Sequence, residues 1–471
     1  MLYKYFKEDN RFINIFNKII DSKIFMFLIV LLGLLSNLFA IELLVYTIYA
    51  VIVVMVALFG RNFIANLPMA VVGYMTFSKY NNPRGPDQTS IFLERDTIIK
   101  FIIICVIIGS FALARIVHDF IYYKERRKFP KLALGFIILG FSFFHGGAYT
   151  EGYEFKTSIF GLVEILSLSF TYLVFYYTSD FSKINKEYWA ELFTMVSMLM
   201  FVEIGYMLFE VDAFDFSKEF SRGELWTGWG NHNNVGGVAI MCLPAPFYLA
   251  TVKKHGWFYC FLGNLAMLSI GLSMSRNSML FGFVTYFIIL IIVAIISKGR
   301  NRVANLSIYF CCLVATALTI TFGFDEIRNL FSSVLDKGTD DNGRIEIYID
   351  AFNQFKTAPV FGLGFYECGA FQWGVYDPDS FLPGRYHNSI FQLLASTGVF
   401  GLLAYGYHRF ETIKLLFKNF NYSKLFIWLC LFVFLVSSLF DCFFFNFGPG
   451  LIYSALLLFL EKQQDDKVES V

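Results

Sequence analysis

Charge is scarce in this chain of 471 residues: only 16% of them are Asp, Glu, Lys or Arg, against roughly a quarter in an ordinary soluble domain. A soluble globule of this length is therefore excluded as the class. Cysteine is sparse too. The eight cysteines show no CxxC or Cys/His spacing, and Cys311 and Cys312 sit side by side in an apolar run, so neither a zinc site nor a disulfide framework is indicated. The formal net charge of +1 removes any global electrostatic attraction to nucleic acid. No small-residue cleavage site follows the first apolar run, so Lys4, Lys7, Arg11, Lys18 and Lys23 are read as the flank of a retained first span. Low-complexity tracts and internal repeats are missing as well.

What the chain has in abundance is apolar surface, with 57% hydrophobic and 20% aromatic residues and a mean hydropathy of +0.58. Runs of about twenty apolar residues, each long enough to cross a hydrocarbon core of about 30 Å, recur along the sequence. They predict an all-α polytopic membrane protein with about fourteen transmembrane helices, from 24–40 to 444–460, with a short and re-entrant candidate at 63–77. Lys124, Arg126, Arg127, Lys128, Lys253, Lys254, Lys298, Arg300, Arg302 and the Arg409 to Lys424 stretch then all fall on one face. Basic residues on that face outnumber the others about two to one, which predicts cytoplasmic N- and C-termini.

The expected organisation is N-terminal transmembrane helices over 1–210, a membrane core over 211–406 that includes an external loop 324–388, and C-terminal helices with a cytoplasmic tail over 407–471. The longest outer segment, Phe324 to Tyr386, carries Tyr366, Phe371, Trp373 and Tyr376 with Gly362 and Gly364, and reads as an ordered cap without evident secondary structure of its own.

Basic residues on the outer face run against the topological rule. Arg222 precedes Trp226-Thr227-Gly228-Trp229-Gly230-Asn231-His232-Asn233-Asn234, Arg276 occupies the short turn Ser275-Arg276-Asn277-Ser278, and Arg344 and Arg385 flank the long loop. A guanidinium is a permanently charged planar fork suited to phosphate oxygens, although any one of these arginines taken alone also fits simple snorkelling to the interface. Asn233 and Asn234 open a helix whose free amides would add anion donors. His387 stands just ahead of a helix that Asn388 or Ser389 would cap; the positive helix end favours a neutral, proton-accepting imidazole. Four carboxylates fall in or near spans, Glu164, Glu191, Glu203 and Asp441, and the sequence does not rank them.

Taken in order, these pieces resemble the bacterial O-antigen ligase and O-antigen polymerase superfamily. The resemblance rests on Arg222 with Gly228, Gly230 to Gly236 and Pro244; on Ser275-Arg276; on Gly343-Arg344 with Pro359, Gly362 and Gly364; and on His387-Asn388 with Gln392, Gly398 and Gly401. It covers roughly residues 220–405, and in the family's first motif a proline often stands where this chain has His232. The resemblance implies a metal-independent inverting glycosyltransferase of C-type multi-spanning architecture, without cofactor, in the bacterial inner membrane. It would act at the outer face on a glycan carried by undecaprenyl diphosphate. It also implies His387 as the catalytic residue, Arg222, Arg276 and Arg344 on the diphosphate, and Asn233, Asn234, Asn388 and Arg385 in support. The implied partners are the lipid-linked oligosaccharide, a glycan or lipid acceptor, membrane lipid and polysaccharide-assembly proteins.

A usage rich in Lys, Asn, Ile and Phe hints at an AT-rich genome and leans the expectation to a polymerase of surface polysaccharide repeat units. The alternatives are a ligase transferring the glycan to lipid A core or another acceptor and, from another class, a lipid-linked glycan flippase or transporter. A transporter would be expected to show duplicated halves with broken helices and midplane ionisable sites.

Overall fold

The computed structural model describes residues 10–77, 95–123, 128–213, 224–331, 343–364 and 385–462. In chain order the helices are α1 (Arg11–Ile20), α2 (Lys23–Phe39), α3 (Glu42–Phe59), α4 (Leu67–Val72), α5 (Arg95–Tyr122), α6 (Lys131–His145), α7 (Phe155–Thr178) and α8 (Tyr188–Glu210). A two-stranded ribbon follows, β1 (Trp226–Thr227) and β2 (Gly230–Asn231), and then α9 (His232–Cys242), α10 (Pro244–Val252), α11 (Gly256–Leu272), α12 (Arg276–Ile296) and α13 (Gly299–Phe322). The series ends with α14 (Phe324–Leu330), α15 (Arg344–Thr357), α16 (Ser389–Phe417), α17 (Tyr422–Ser437) and α18 (Phe447–Lys462).

The chain is an all-α integral membrane protein. Among the described residues nine helices are long and apolar enough to cross a membrane, or up to ten if the pair α1 and α2, bent by 59°, is one span. The segment expected to be short, 63–77, is indeed broken, into a 3-10 turn at Phe63–Asn66, the six-residue α4 and a second 3-10 turn at Tyr74–Thr76. Helix starts follow the chemistry of the cap: Ser22, Asn231, Ser275, Asn388 and Asn421 each accept backbone N–H groups of the first turn, which otherwise have no intrahelical partner. The helix entered from Asn231 breaks at Leu243, where Pro244 starts α10 because proline lacks the N–H a continuous helix would need.

Two compact units divide the chain, one within 1–127 and 174–336, the other within 128–173 and 337–464. In the first, α8 is packed on both sides, with Trp189, Phe193, Met200 and Leu208 buried. Arg115, buried in α5, donates to the carbonyls of Ala57 and Gly60 and pairs with Asp119, closing the free carbonyl end of α3. The β1–β2 tip is pressed so tightly that a Cβ at Gly228 would lie 2.1 Å from the Met75 carbonyl oxygen.

In the second unit α6 and α16 lie close because Gly135 faces His408, where a Cβ would come within 2.9 Å of the histidine Cβ. His408 is buried between the Leu132 carbonyl and the Tyr453 hydroxyl. Beside it, Arg409 lies 4.4 to 4.9 Å from the ring centroids of Tyr405, Phe444 and Tyr453, contacts worth about 0.5–2 kcal/mol each. Helix α16 is not continuous: Gly398 has φ 61° and ψ −156°, a conformation essentially confined to glycine. There the segment 359–364 lies along the opened helix. Leu363 and Gly364 donate to the carbonyls of Ala395 and Ser396, while Val399 and Phe400 donate to those of Pro359 and Val360. A Cβ at Gly362 would meet the Ser396–Thr397 backbone at 2.4 Å, so this glycine is required by close approach.

Candidate functional site

Two constellations contain the sequence-predicted residues, one in each unit. In the first unit Asn231 accepts the N–H groups of Asn233 and Asn234 at 3.1 and 3.2 Å, which starts α9 at His232. The side chain of Asn233 in turn accepts the Ser275 hydroxyl at 3.0 Å, and Ser275 caps α12 by accepting the Ser278 N–H. Gly236 allows this approach, since a Cβ there would sit 2.4 Å from the Ser278 hydroxyl oxygen. Two helix N-termini thus meet edge to edge, with Arg276 as the first residue of one of them. Aligned amides at the two starts, each carrying a partial positive charge, and one guanidinium form a surface disposed to hold anionic oxygens.

The ribbon leading into α9 is tied down from below. The buried Glu203 of α8 accepts the Gly228 N–H at 2.7 Å, and Asn37 donates to the Phe77 carbonyl at 2.6 Å next to the same tip. Arg222 lies outside the described residues.

In the second unit His387 has φ 52°, a left-handed conformation unusual for a residue with a side chain. Its backbone is held from both sides: the Tyr348 hydroxyl donates to the His387 carbonyl at 3.3 Å, and Asn388 caps α16 by accepting the Ile390 and Phe391 N–H groups while donating to the Leu439 carbonyl at 2.7 Å. Tyr386, fully buried, gives its N–H to Gln392 and its hydroxyl to Gln354. The result is an imidazole, 42% exposed, whose Nδ1 stands 3.1 Å from Oδ1 of Asp441, itself only 15% exposed. Asp441 also accepts the Cys442 N–H at 2.9 Å. Burial alone would raise this carboxyl, but the hydrogen bond and charge of His387, the charge of Arg344 and the Cys442 N–H together hold it below the usual carboxylate range. A carboxylate on Nδ1 fixes the tautomer in which Nδ1 carries the proton and Nε2 carries the lone pair.

Arg344 starts α15 after the left-handed Gly343. Its charge bears on both Asp441 and Tyr348. Burial raises the Tyr348 phenol despite that charge, so it remains a protonated donor. Arg385 pairs instead with Glu164 of α7 at 3.4 Å.

The structure therefore brings His387, Asn388, Arg344 and Asp441 together in one unit, and Asn233, Ser275 and Arg276 in the other. It also separates the four carboxylates the sequence left unranked. Glu164 holds Arg385, Glu191 holds lysines, Glu203 holds the ribbon and Asp441 holds the histidine. Sequence reasoning missed Ser275, Tyr348 and Glu203 as supports; only the N-cap pattern at Ser275 was there to be read. It also missed the helices α14 and α15, so the described part of the segment expected as an ordered cap without evident secondary structure is largely helical. Tyr366, Phe371, Trp373 and Tyr376 lie outside the described residues. Among the described residues no three His, Cys, Asp or Glu side chains gather as metal ligands would.

No curated protein sequence matches the chain. The family model described as O-antigen ligase matches residues 261–406. That span contains Ser275, Arg276, Arg344, the glycines that open α16 and the His387-Asn388 pair, and over those residues the chain is similar to the O-antigen ligase family.

Proposed function

We propose that the protein is a glycosyltransferase that polymerises repeat units of a surface polysaccharide, using a glycan carried on undecaprenyl diphosphate at the outer face of the bacterial inner membrane. The observation that carries the reading is the pairing of His387, inside the span matched by the family model, with Asp441, which lies beyond it in the chain. In the proposed reaction Nε2 of His387 takes the proton of an acceptor hydroxyl as that oxygen attacks the anomeric carbon. The new glycosidic bond forms while the anomeric carbon–oxygen bond to the diphosphate breaks, and undecaprenyl diphosphate departs with the bonding pair. Asp441 stabilises the imidazolium that results. Guanidinium charge on the leaving diphosphate, assigned to Arg222, Arg276 and Arg344, lowers the cost of its departure without a metal ion. The paired helix starts at Asn233 and Ser275 support the same role for Arg276. A positioned base contributes typically about 10²–10⁴-fold. Asn388 is assigned to hold His387, and Arg385, paired with Glu164, to hold the segment that presents it.

The orientation with both termini cytoplasmic belongs to this reading and is supported by the basic loops. The test is deletion in the source bacterium followed by analysis of its glycolipids. A polymerase leaves single repeats transferred to their final acceptor without polymer; a ligase leaves long chains accumulated on the lipid carrier. Unchanged polymer and unchanged lipid-linked pools would overturn both.

A further inference from the structure

Helix α8 carries a carboxyl where stability alone gives no reason for one. Glu203 is fully buried, and one of its oxygens accepts the Gly228 N–H at 2.7 Å. The other, Oε2, is buried too and has no hydrogen-bond partner among the described residues. None of their lysines, arginines or histidines pairs with it. A buried oxygen without a donor is costly, and an apolar side chain of the same volume would avoid that cost. An ionisable group at such a place in a span is therefore a candidate for function. The tip that Glu203 grips is unfavourable as well. Trp229 is fully buried with its indole N–H lacking a partner among the described residues. At Gly228 a Cβ would lie 2.5 Å from the Asn37 amide nitrogen and 2.7 Å from the Phe77 carbonyl oxygen, so the tip has no room to shift.

From that tip a series of contacts, all within the first unit, leads to Arg276. The ribbon pairs Thr227 with Gly230 and Trp226 with Asn231, and the Thr227 hydroxyl accepts the Trp229 N–H at 3.2 Å, closing the turn. Asn231 then caps α9, the side chain of Asn233 accepts the Ser275 hydroxyl at 3.0 Å, and Ser275 caps the helix that Arg276 opens. The Ser278 hydroxyl donates to that of Ser275 at 3.0 Å and fixes it further. A displacement of the tip is thus passed through two helix caps to the residue from which the guanidinium leaves α12.

We propose that Glu203 is a positioning residue for the lipid diphosphate: it serves as a hydrogen-bond acceptor of fixed reach that locks the ribbon and, through the Asn233–Ser275 contact, sets where Arg276 points. The inference rests on the diphosphate role proposed for Arg276. Reach matters because the Gly228 N–H belongs to the main chain of a wedged turn and cannot follow a shorter side chain. Charge does not, because no cation among the described residues stands opposite.

Two near-isosteric variants separate reach from charge: Glu203→Gln keeps the length and loses the charge, whereas Glu203→Asp keeps the charge and withdraws the acceptor by one methylene. The measurement is equilibrium binding of radiolabelled undecaprenyl diphosphate to the purified full-length chain in detergent. Glu203→Asp should bind about tenfold more weakly than wild type, the worth of one hydrogen bond to a charged group, and Glu203→Gln should restore the affinity to within about twofold. Glu203→Asp combined with Arg276→Ala should bind no more weakly than Arg276→Ala alone, since the guanidinium through which the shortened side chain acts is already gone. In elongation Glu203→Asp should raise donor KM by the same factor and leave acceptor KM unchanged, a split that a general loosening of the fold would not give. Wild-type affinity in Glu203→Asp, a Glu203→Gln as weak as Glu203→Asp, or a further loss of about tenfold in the double variant would overturn the inference and leave the diphosphate site standing. No binding by wild type would overturn that site and the inference with it.

Discussion

Replacing Asp441 by Asn preserves the shape of the side chain and removes its charge, so it isolates the electrostatic part of the histidine pair. At the 3.1 Å separation of His387 Nδ1 and Asp441 Oδ1, unit charges attract by about 5 kcal/mol at an effective dielectric constant of 20 and by about 1 kcal/mol in water. His387 is 42% exposed, which places the pair between those limits, at about 2–3 kcal/mol. That attraction exists only after the imidazole has taken a proton, so its loss falls on the transition state. The expected decrease in kcat is about 30–150-fold. His387→Ala, which removes the base itself, should cost as much or more. The assay is elongation of a synthetic lipid-linked repeat by the purified full-length protein in nanodiscs, read as product length on a gel. Because Asp441 acts through His387, the loss should fall on kcat while donor KM stays near wild type. An Asp441→Asn enzyme with unchanged kcat would refute the assignment.

The same carboxylate sets a pH dependence of stability. Its folded value lies below the ordinary 3.8, so its contribution is complete above about pH 4 and is lost as pH falls through the folded value; melting curves of wild type and Asp441→Asn in detergent should differ at pH 7 and converge in acid. Gly398→Ala puts a Cβ 2.6 Å from the Pro359 carbonyl oxygen in a backbone conformation that alone costs about 1–3 kcal/mol, and should lower the melting temperature and membrane abundance together. Arg276→Lys keeps a positive charge but loses the planar fork, and should give elongation rates between those of wild type and Arg276→Ala.

The membrane-spanning character was legible because the bilayer imposes one length on every helix that crosses it: Glu42–Phe59 and Arg276–Ile296, 18 and 21 residues long, match the runs of about twenty apolar residues that recur along the sequence. Helix α15 was not, because its residues Arg344–Thr357 mix charged and apolar side chains and only Ile347 and Ala351 turn inward, too narrow a stripe to stand out inside a polar segment. The motif residues Arg276 and His387 were found from their types and places in the chain, but the partner of His387 lies 54 residues away, a distance no local pattern encodes. Asp441 looked like Glu164, Glu191 and Glu203 until packing gave each a different counterpart. The role of Gly362 and Gly398 likewise became visible only with 359–364 laid along the opened helix.

The account depends most on one imidazole. Purified wild-type protein supplied with a defined undecaprenyl-diphosphate-linked repeat should lengthen it and release free undecaprenyl diphosphate, and His387→Ala, at equal abundance and equal donor binding, should do neither above background. Elongation by His387→Ala at the wild-type rate would contradict it.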